Sequence, residues 1–167
     1  MTQNIFNVLT QRFGADTILY YEQTSFDPYI IINPEDIQSI CMYLRYNPEL
    51  KLSFFLNLSG VDYPDREQIT LVYHIYSMAL KTTCVLKTSV SREFPELESI
   101  ESVWKAAGWF EREIYDLLGV SFINHSNLKR ILLPEDWKGH PLRKDYREEP
   151  VYHDMETTRN NLLETNR

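Results

Sequence analysis

The sequence predicts an α+β domain: a mixed, largely antiparallel sheet with helices mainly on one face, followed by an extended C-terminal docking segment. Three observations predict it. Strand-like runs over 53–63, 68–77 and 82–90 follow one another with only short polar breaks between them, the signature of a meander. Segments with apolar residues at helical spacing lie before and after these runs, where they can cover one side of the sheet. From Lys129 onward Pro134, Pro141, Gly139 and alternating charges forbid a long regular element, yet Leu132, Leu133, Trp137 and Leu142 are too apolar for a solvated loop.

Thr2 to Phe13 sets Ile5, Leu9 and Phe13 on one face, a short helix closed by Gly14. Thr17 to Gln23 and Tyr29 to Ile32 are rich in Tyr, Ile and Thr and read as a strand pair turned at Phe26-Asp27-Pro28. Asn33-Pro34-Glu35-Asp36 is a helix start, with a capping side chain, a proline where no N–H is needed, and acids at the positive end of the dipole. Ile37, Ile40, Cys41 and Leu44 follow at helical spacing, and Asn47-Pro48 ends the run. In the middle strand Leu71, Tyr73 and Ile75 alternate with Val72, His74 and Tyr76, so it is expected to be the most covered. Ser99 to Ala107, with Ile100, Val103, Trp104 and Ala107, is predicted as a covering helix stopped by Gly108. Trp109 to Leu118 is predicted as a second, with Phe110, Ile114, Leu117 and Leu118 inward, Arg112, Glu113 and Asp116 on the opposite face, and Gly119 as its end. Residues 1–128 are thus expected to form the core domain, and 129–167 the docking segment and tail. Past Arg147 the residues are mainly polar, with Val151, Tyr152, Leu162 and Leu163 among the few apolar ones, so the tail is expected to be mobile when alone.

A net charge of −7 argues against general nucleic-acid binding. Residues 129–147 nevertheless hold six Lys or Arg against three Asp or Glu, a locally basic strip on an acidic body. Two cysteines, Cys41 and Cys84, have no paired spacing, which points away from a disulfide framework. They are also too few for an iron–sulfur cluster, and the five glycines form no dinucleotide fingerprint. No run approaches the ~20 apolar residues of a membrane helix, so membrane association is expected only through partners.

Glu111, Glu113, Asp116 and His125 could be read as an acid–base or metal set, as in a free-standing hydrolase. Their spacing matches no recognised ligand pattern, and Arg112 with Asp116 at i,i+4 reads better as an ion pair along the helix. His125 and His140 read as hydrogen-bond donors in turns. Trp104 and Trp109 read as core anchors, whereas Trp137, flanked by Glu135, Asp136 and Lys138, reads as an interface residue.

The same residues carry a resemblance. Glu111-Arg112-Glu113, then Asp116, Leu117-Leu118, His125, Lys129 and Ile131-Leu132 follow the signature of the 30 kDa subunit family of respiratory complex I, the proton-pumping NADH:quinone oxidoreductase. Gly139-His140-Pro141-Leu142-Arg143-Lys144-Asp145-Tyr146 resembles its second signature, and a weaker likeness runs from about Tyr29 through Gly60-Val61-Asp62-Tyr63-Pro64. Ser126 stands where the family commonly has proline. The resemblance implies a non-catalytic structural subunit of the hydrophilic arm, with no cofactor of its own, FMN and Fe–S clusters being held by partner subunits. Implied partners are the large quinone-site (49 kDa type) subunit and the Fe–S subunits, on the cytoplasmic face of the bacterial inner membrane. Similar subunits serve plastoquinone-reducing complexes and membrane-bound [NiFe] hydrogenases, the main alternative. Ending at Arg167, the chain is expected to be separate from the large subunit. The partner-binding residues implied are Glu111, Arg112, Glu113, Asp116 and His125 from the first signature, Arg130 and Trp137 beyond it, and His140, Leu142, Arg143, Lys144, Asp145 and Tyr146 from the second. Arg143 and Asp145 are the expected anchors, their charges buried only in the complex.

Overall fold

The structure, a computed structural model, describes residues 2–157. Five strands, β1 (Ile18–Glu22), β2 (Tyr29–Ile32), β3 (Phe54–Tyr63), β4 (Gln68–Ser77) and β5 (Thr82–Ser91), form one sheet in the order β1-β2-β5-β4-β3. All neighbours are antiparallel except β2 and β5, which run parallel because the helix α2 (Ile37–Tyr46) and the meander intervene between them. This is the mixed, largely antiparallel sheet expected from the sequence.

Helices α1 (Thr2–Phe13), α2 and α3 (Ala107–Leu118) share one core with the sheet. Along β4, Ile69, Leu71, Tyr73, Ile75 and Ser77 are buried while the alternate residues are half-buried, the pattern of a sheet covered on one face. Leu9 of α1 and Ile37, Ile40, Cys41 and Leu44 of α2 are fully buried in that core. Asn33 caps the entry to α2 as expected: its side chain accepts from the Glu35 amide at 3.2 Å, and Pro34–Asp36 forms a 3-10 turn before the helix proper.

Two expectations are corrected around α3. Ser99 to Ala107 is not a helix. After the short strand β6 (Glu96–Glu98), residues 101–106 run as turns, with the Val103 and Trp104 amides both donating to the Ile100 carbonyl at 2.9 Å. Ile100, Val103, Trp104 and Ala107 are still buried, so the periodicity reported burial and not helicity. A strand at β6 is required because it pairs in parallel with β7 (Ser121–Ile123), a contact between segments too short to show a period. Gly108 in consequence lies inside α3 instead of stopping a helix. A Cβ there would sit 2.9 Å from Glu101 Cγ and 3.3 Å from His125 Nε2, so its bareness lets both side chains close over the helix start. Trp109 is 63% exposed, not a core anchor; its ring carries the Arg112 guanidinium at 5.3 Å.

Gly119 ends α3 in the left-handed conformation (φ 78°), as expected. A close approach at Gly60 lets α3 lie against β3: a Cβ there would overlap Leu118 Cδ1 and stand 3.0 Å from Ile114 Cδ1. Past residue 128 the chain has no helix or strand until a two-residue hairpin, β8 (Val151–Tyr152) and β9 (Met155–Glu156), turned at His153 and Asp154. Leu162 and Leu163 lie outside the described residues.

Candidate partner-docking site

The segment from Lys129 to Tyr146 forms a strap across α3 and the end of β3, held by two buried carboxylates. Asp116, on the inner side of α3, is fully buried. Its Oδ2 accepts the consecutive amides of Ile131, Leu132 and Leu133 at 3.0, 2.8 and 2.9 Å, and its Oδ1 accepts Arg130 Nη1 at 2.7 Å. Burial alone would raise this carboxyl, but the Leu133 amide, the Arg130 guanidinium and the other two amides together hold it below the usual carboxylate value. Arg130 then ties the strap to itself, donating through Nη2 to the Trp137 and Gly139 carbonyls at 3.0 and 3.1 Å. The expected Arg112–Asp116 pair is therefore not made. Asp116 turns inward, where four donors converge, and Arg112 instead donates to the Lys129 and Arg130 carbonyls, both at 3.0 Å.

The second carboxylate is Asp62, whose side chain is fully buried at the end of β3. Arg92 grips it with a fork, Nε to Oδ1 at 2.7 Å and Nη2 to Oδ2 at 3.1 Å, and the Lys144 amide adds a bond at 2.8 Å. The Arg92 bond is the main reason this carboxyl lies below its usual value, with the Lys144 amide assisting against burial. Arg92 also bonds Asp145 of the strap. Between the two carboxylates the strap closes the C-terminal end of α3: the Leu142 amide donates to the Leu117 carbonyl at 3.0 Å, Arg143 Nε to the Leu118 carbonyl at 2.8 Å, and His140 Nδ1–H to the Asp116 carbonyl at 2.9 Å. These carbonyls are the ones a helix end leaves without partners, and a guanidinium suits the negative end of the dipole.

Glu111 and His125 belong to a different place. Glu111 is fully buried and accepts the Ser99 hydroxyl at 2.6 Å and the Ile100 amide at 2.7 Å, which pins the turn that replaces the expected helix. Burial pushes its carboxyl up, opposed by these two bonds. His125 Nε2–H donates to the Gly108 carbonyl at 3.0 Å while Nδ1 accepts the Asn127 amide at 3.0 Å, so both ring nitrogens are used in local structure. Its Nε2 stands 3.8 Å from Glu111. Glu113 is exposed and Asp116 faces the strap, so the four groups of the hydrolase reading do not converge. Among the described residues no group of three His, Cys, Asp or Glu is placed to hold a metal ion.

Of the residues read as partner-binding, Arg130, His140, Arg143 and Asp145 also fasten the strap internally through their side chains, and Lys144 through its backbone amide, whereas Arg143 and Asp145 were expected to bury their charges only in the complex. Among the exposed charges of Lys129, Glu135, Asp136, Lys138, Lys144 and Asp145 the strap also turns two large apolar side chains outward: Leu132 is 61% and Leu142 53% exposed. Trp137 is half-buried against Tyr152, ring centroids 5.2 Å apart, and Tyr146 lies beside Gly139, where a Cβ would meet its ring at 3.0 Å. Asp62 and Arg92 were missed as site residues. The signal was present for Asp62, a lone charge in the inward phase of a strand with Leu58 and Gly60; Arg92, just past β5, has none.

Fold and strap together define an α+β chain whose two buried carboxylates hold an irregular C-terminal segment against one helix and the edge strand. Comparison with known proteins specifies which: the family described as respiratory-chain NADH dehydrogenase, 30 Kd subunit, matches residues 30–151, and the chain belongs to it. An NADH-quinone oxidoreductase subunit of Chlorobium phaeobacteroides is 36% identical over 161 residues, covering 92% of this chain and 96% of the relative. Its counterpart in Roseiflexus castenholzii is 42% identical over 131 residues, covering 78% and 75%. The fold is similar to a chain in the structure of an archaeal membrane-bound sulfane sulfur reductase (TM-score 0.71, 21% identity, 87% of this chain and 85% of that one). It is also similar to a trypsin-resistant fragment of Nqo5 (TM-score 0.60, 20% identity, 77% and 100%). Among the described residues no helix is long and apolar enough to cross a membrane.

Proposed function

We propose that this chain is a non-catalytic structural subunit of the peripheral arm of a proton-translocating NADH:quinone oxidoreductase, docking through its strap onto the large quinone-site subunit and neighbouring Fe–S subunits. The observation that carries the reading is the coincidence of the family match with the strap: the matched region runs through residue 151 and so includes the whole segment that Asp116 and Asp62 hold in place. A chain that buries two carboxylates to display Leu132 and Leu142 in water displays them to something.

In this reading the chain carries no redox centre; FMN and Fe–S clusters lie in partner subunits, and the complex sits on the cytoplasmic face of the inner membrane. The chemistry of the cysteines supports the first point. Both are buried, and burial pushes Cys84 up to about 12 and Cys41 well above its usual value, whereas cluster ligation needs thiolates. Four relatives at 35% to 42% identity are NADH-quinone oxidoreductase subunits, which favours this assembly over the hydrogenase-type alternative. Fractionation of gently solubilised membranes tests the reading. The chain is expected to co-migrate with NADH:quinone oxidoreductase activity in a large particle, and elution as a free single chain would overturn it.

A further inference from the structure

The strap does not account for the longest open feature of the fold, the outer edge of β3. This strand closes one side of the sheet, and at ten residues it is twice the length of β1 at the other side. Among the described residues no hydrogen bond reaches its outward-facing backbone groups. Open edges are ordinarily blunted by lysine, proline, shortness or a covering segment. β3, reading Phe-Phe-Leu-Asn-Leu-Ser-Gly-Val-Asp-Tyr, has no lysine, arginine or proline, and its one charge, Asp62, is turned inward. A bulge between Phe55 and Asn57 is its single irregularity. Leu56 and Val61 on this strand are 42% and 36% exposed.

The edge is continuous with the strap. Leu142 of the strap, Leu117 and Ile114 of α3, and Asn57 to Gly60 of β3 line one shallow cavity, with Glu113 at its rim. Glu113 is exposed and, among the described residues, has no cationic partner. We propose that an extended segment of a partner subunit adds to β3 as a sixth strand, setting an apolar side chain against Leu117 and Leu142 and a lysine or arginine against Glu113. Main-chain pairing then supplies affinity, and the notch and the carboxylate supply register and choice. The inference rests on the strap-docking reading above, since it makes edge and strap one interface.

Hydrogen exchange on the isolated chain and on the purified native complex tests it. Both peptides, 54–63 and 129–146, are expected to exchange at least tenfold more slowly in the complex. Slowing of 129–146 with 54–63 unchanged overturns the edge proposal and leaves the strap reading standing; no change in either overturns both. Protection of 54–63 already in the isolated chain, together with a dimer in sedimentation, assigns the edge to a second copy and overturns a heterologous partner. Val61→Lys puts a cation where natural edges carry one, and as an exposed position it is expected to leave the circular dichroism spectrum unchanged while reducing the chain's content in the complex by roughly tenfold. Glu113→Lys should weaken assembly in the same way, and full incorporation of both variants would contradict the proposal.

Discussion

Replacing Asp116 by asparagine removes one charge and almost no volume from the point on which the strap hangs. The carboxylate accepts from the amides of Ile131, Leu132 and Leu133 and from Arg130, all within 3.0 Å, with no access to water. An amide side chain at this place has one acceptor oxygen and turns an NH2 group toward donors. Arg130 loses its ion pair, and removing one partner of a buried pair costs ~3–5 kcal/mol. Whole domains are stable by ~5–15 kcal/mol, so the loss is expected as local opening of the strap and not as collapse of the core. At about 1.4 kcal/mol per tenfold, the amides of 131–133 in Asp116→Asn should exchange roughly two to four orders of magnitude faster than in the parent chain. Peptides from β4 and β5 should change far less. Mass-spectrometric hydrogen exchange on the isolated chain measures both. Unchanged exchange at 131–133 would refute the reasoning that this carboxylate fastens the strap.

Gly60→Ala drives a methyl into Leu118 Cδ1, inside a packed core, and is expected to cost ~1–3 kcal/mol, seen as a fall in melting temperature of about 2–4 °C for each kcal/mol. His140 is held below its usual 6.5, first by burial and then by Arg143 and Arg130, against the Asp116 carbonyl that its Nδ1–H bonds. A detached strap binds the proton more readily, so strap attachment is complete above about 6.5 and weakens as pH falls below it; an NMR titration of the ring with a midpoint at or above that value would contradict the placement. Arg143→Ala removes the donor to the Leu118 carbonyl, and faster exchange of 142–146 in the free chain should accompany a loss of assembled complex, measured as NADH:quinone activity per milligram of membrane.

How far the sequence could be read follows from where the information sits. Elements with their own period were legible: β4 alternates over ten residues, α2 begins at a cap and ends before Pro48, and α3 runs to Gly119. Elements that exist only through a distant partner were not. β6 and β7 are three residues each and define one another, so 96–104 showed the burial of Ile100 and Trp104 without showing that turns produce it. The strap was legible as an anomaly, apolar and basic with no regular structure. Its attachment was not, because Asp116 is separated from its donors by 14 to 17 residues and Asp62 from Lys144 by 82, and at α-helical spacing Asp116 had a nearer candidate in Arg112. The charges of Arg112, Asp116, Arg130, Arg143 and Asp145, read as reserved for a partner, are therefore shared with the fold. That changes the energetics of the proposed docking, since a strap already ordered loses little conformational entropy on binding.

If the pre-formed strap docks this subunit through its outward apolar residues, those residues must be needed in the complex and dispensable outside it. The most direct measurement is incorporation of a Leu132→Glu, Leu142→Glu double variant into the native complex, quantified by the ratio of this chain to its partner subunits in the purified particle. Both side chains are more than half exposed in the free chain, so its melting temperature and strap exchange should stay close to the parent's. The double variant, folded when alone, is expected to be largely missing from the complex, with NADH:quinone activity falling in proportion. Stoichiometric incorporation with normal activity would contradict docking through the strap.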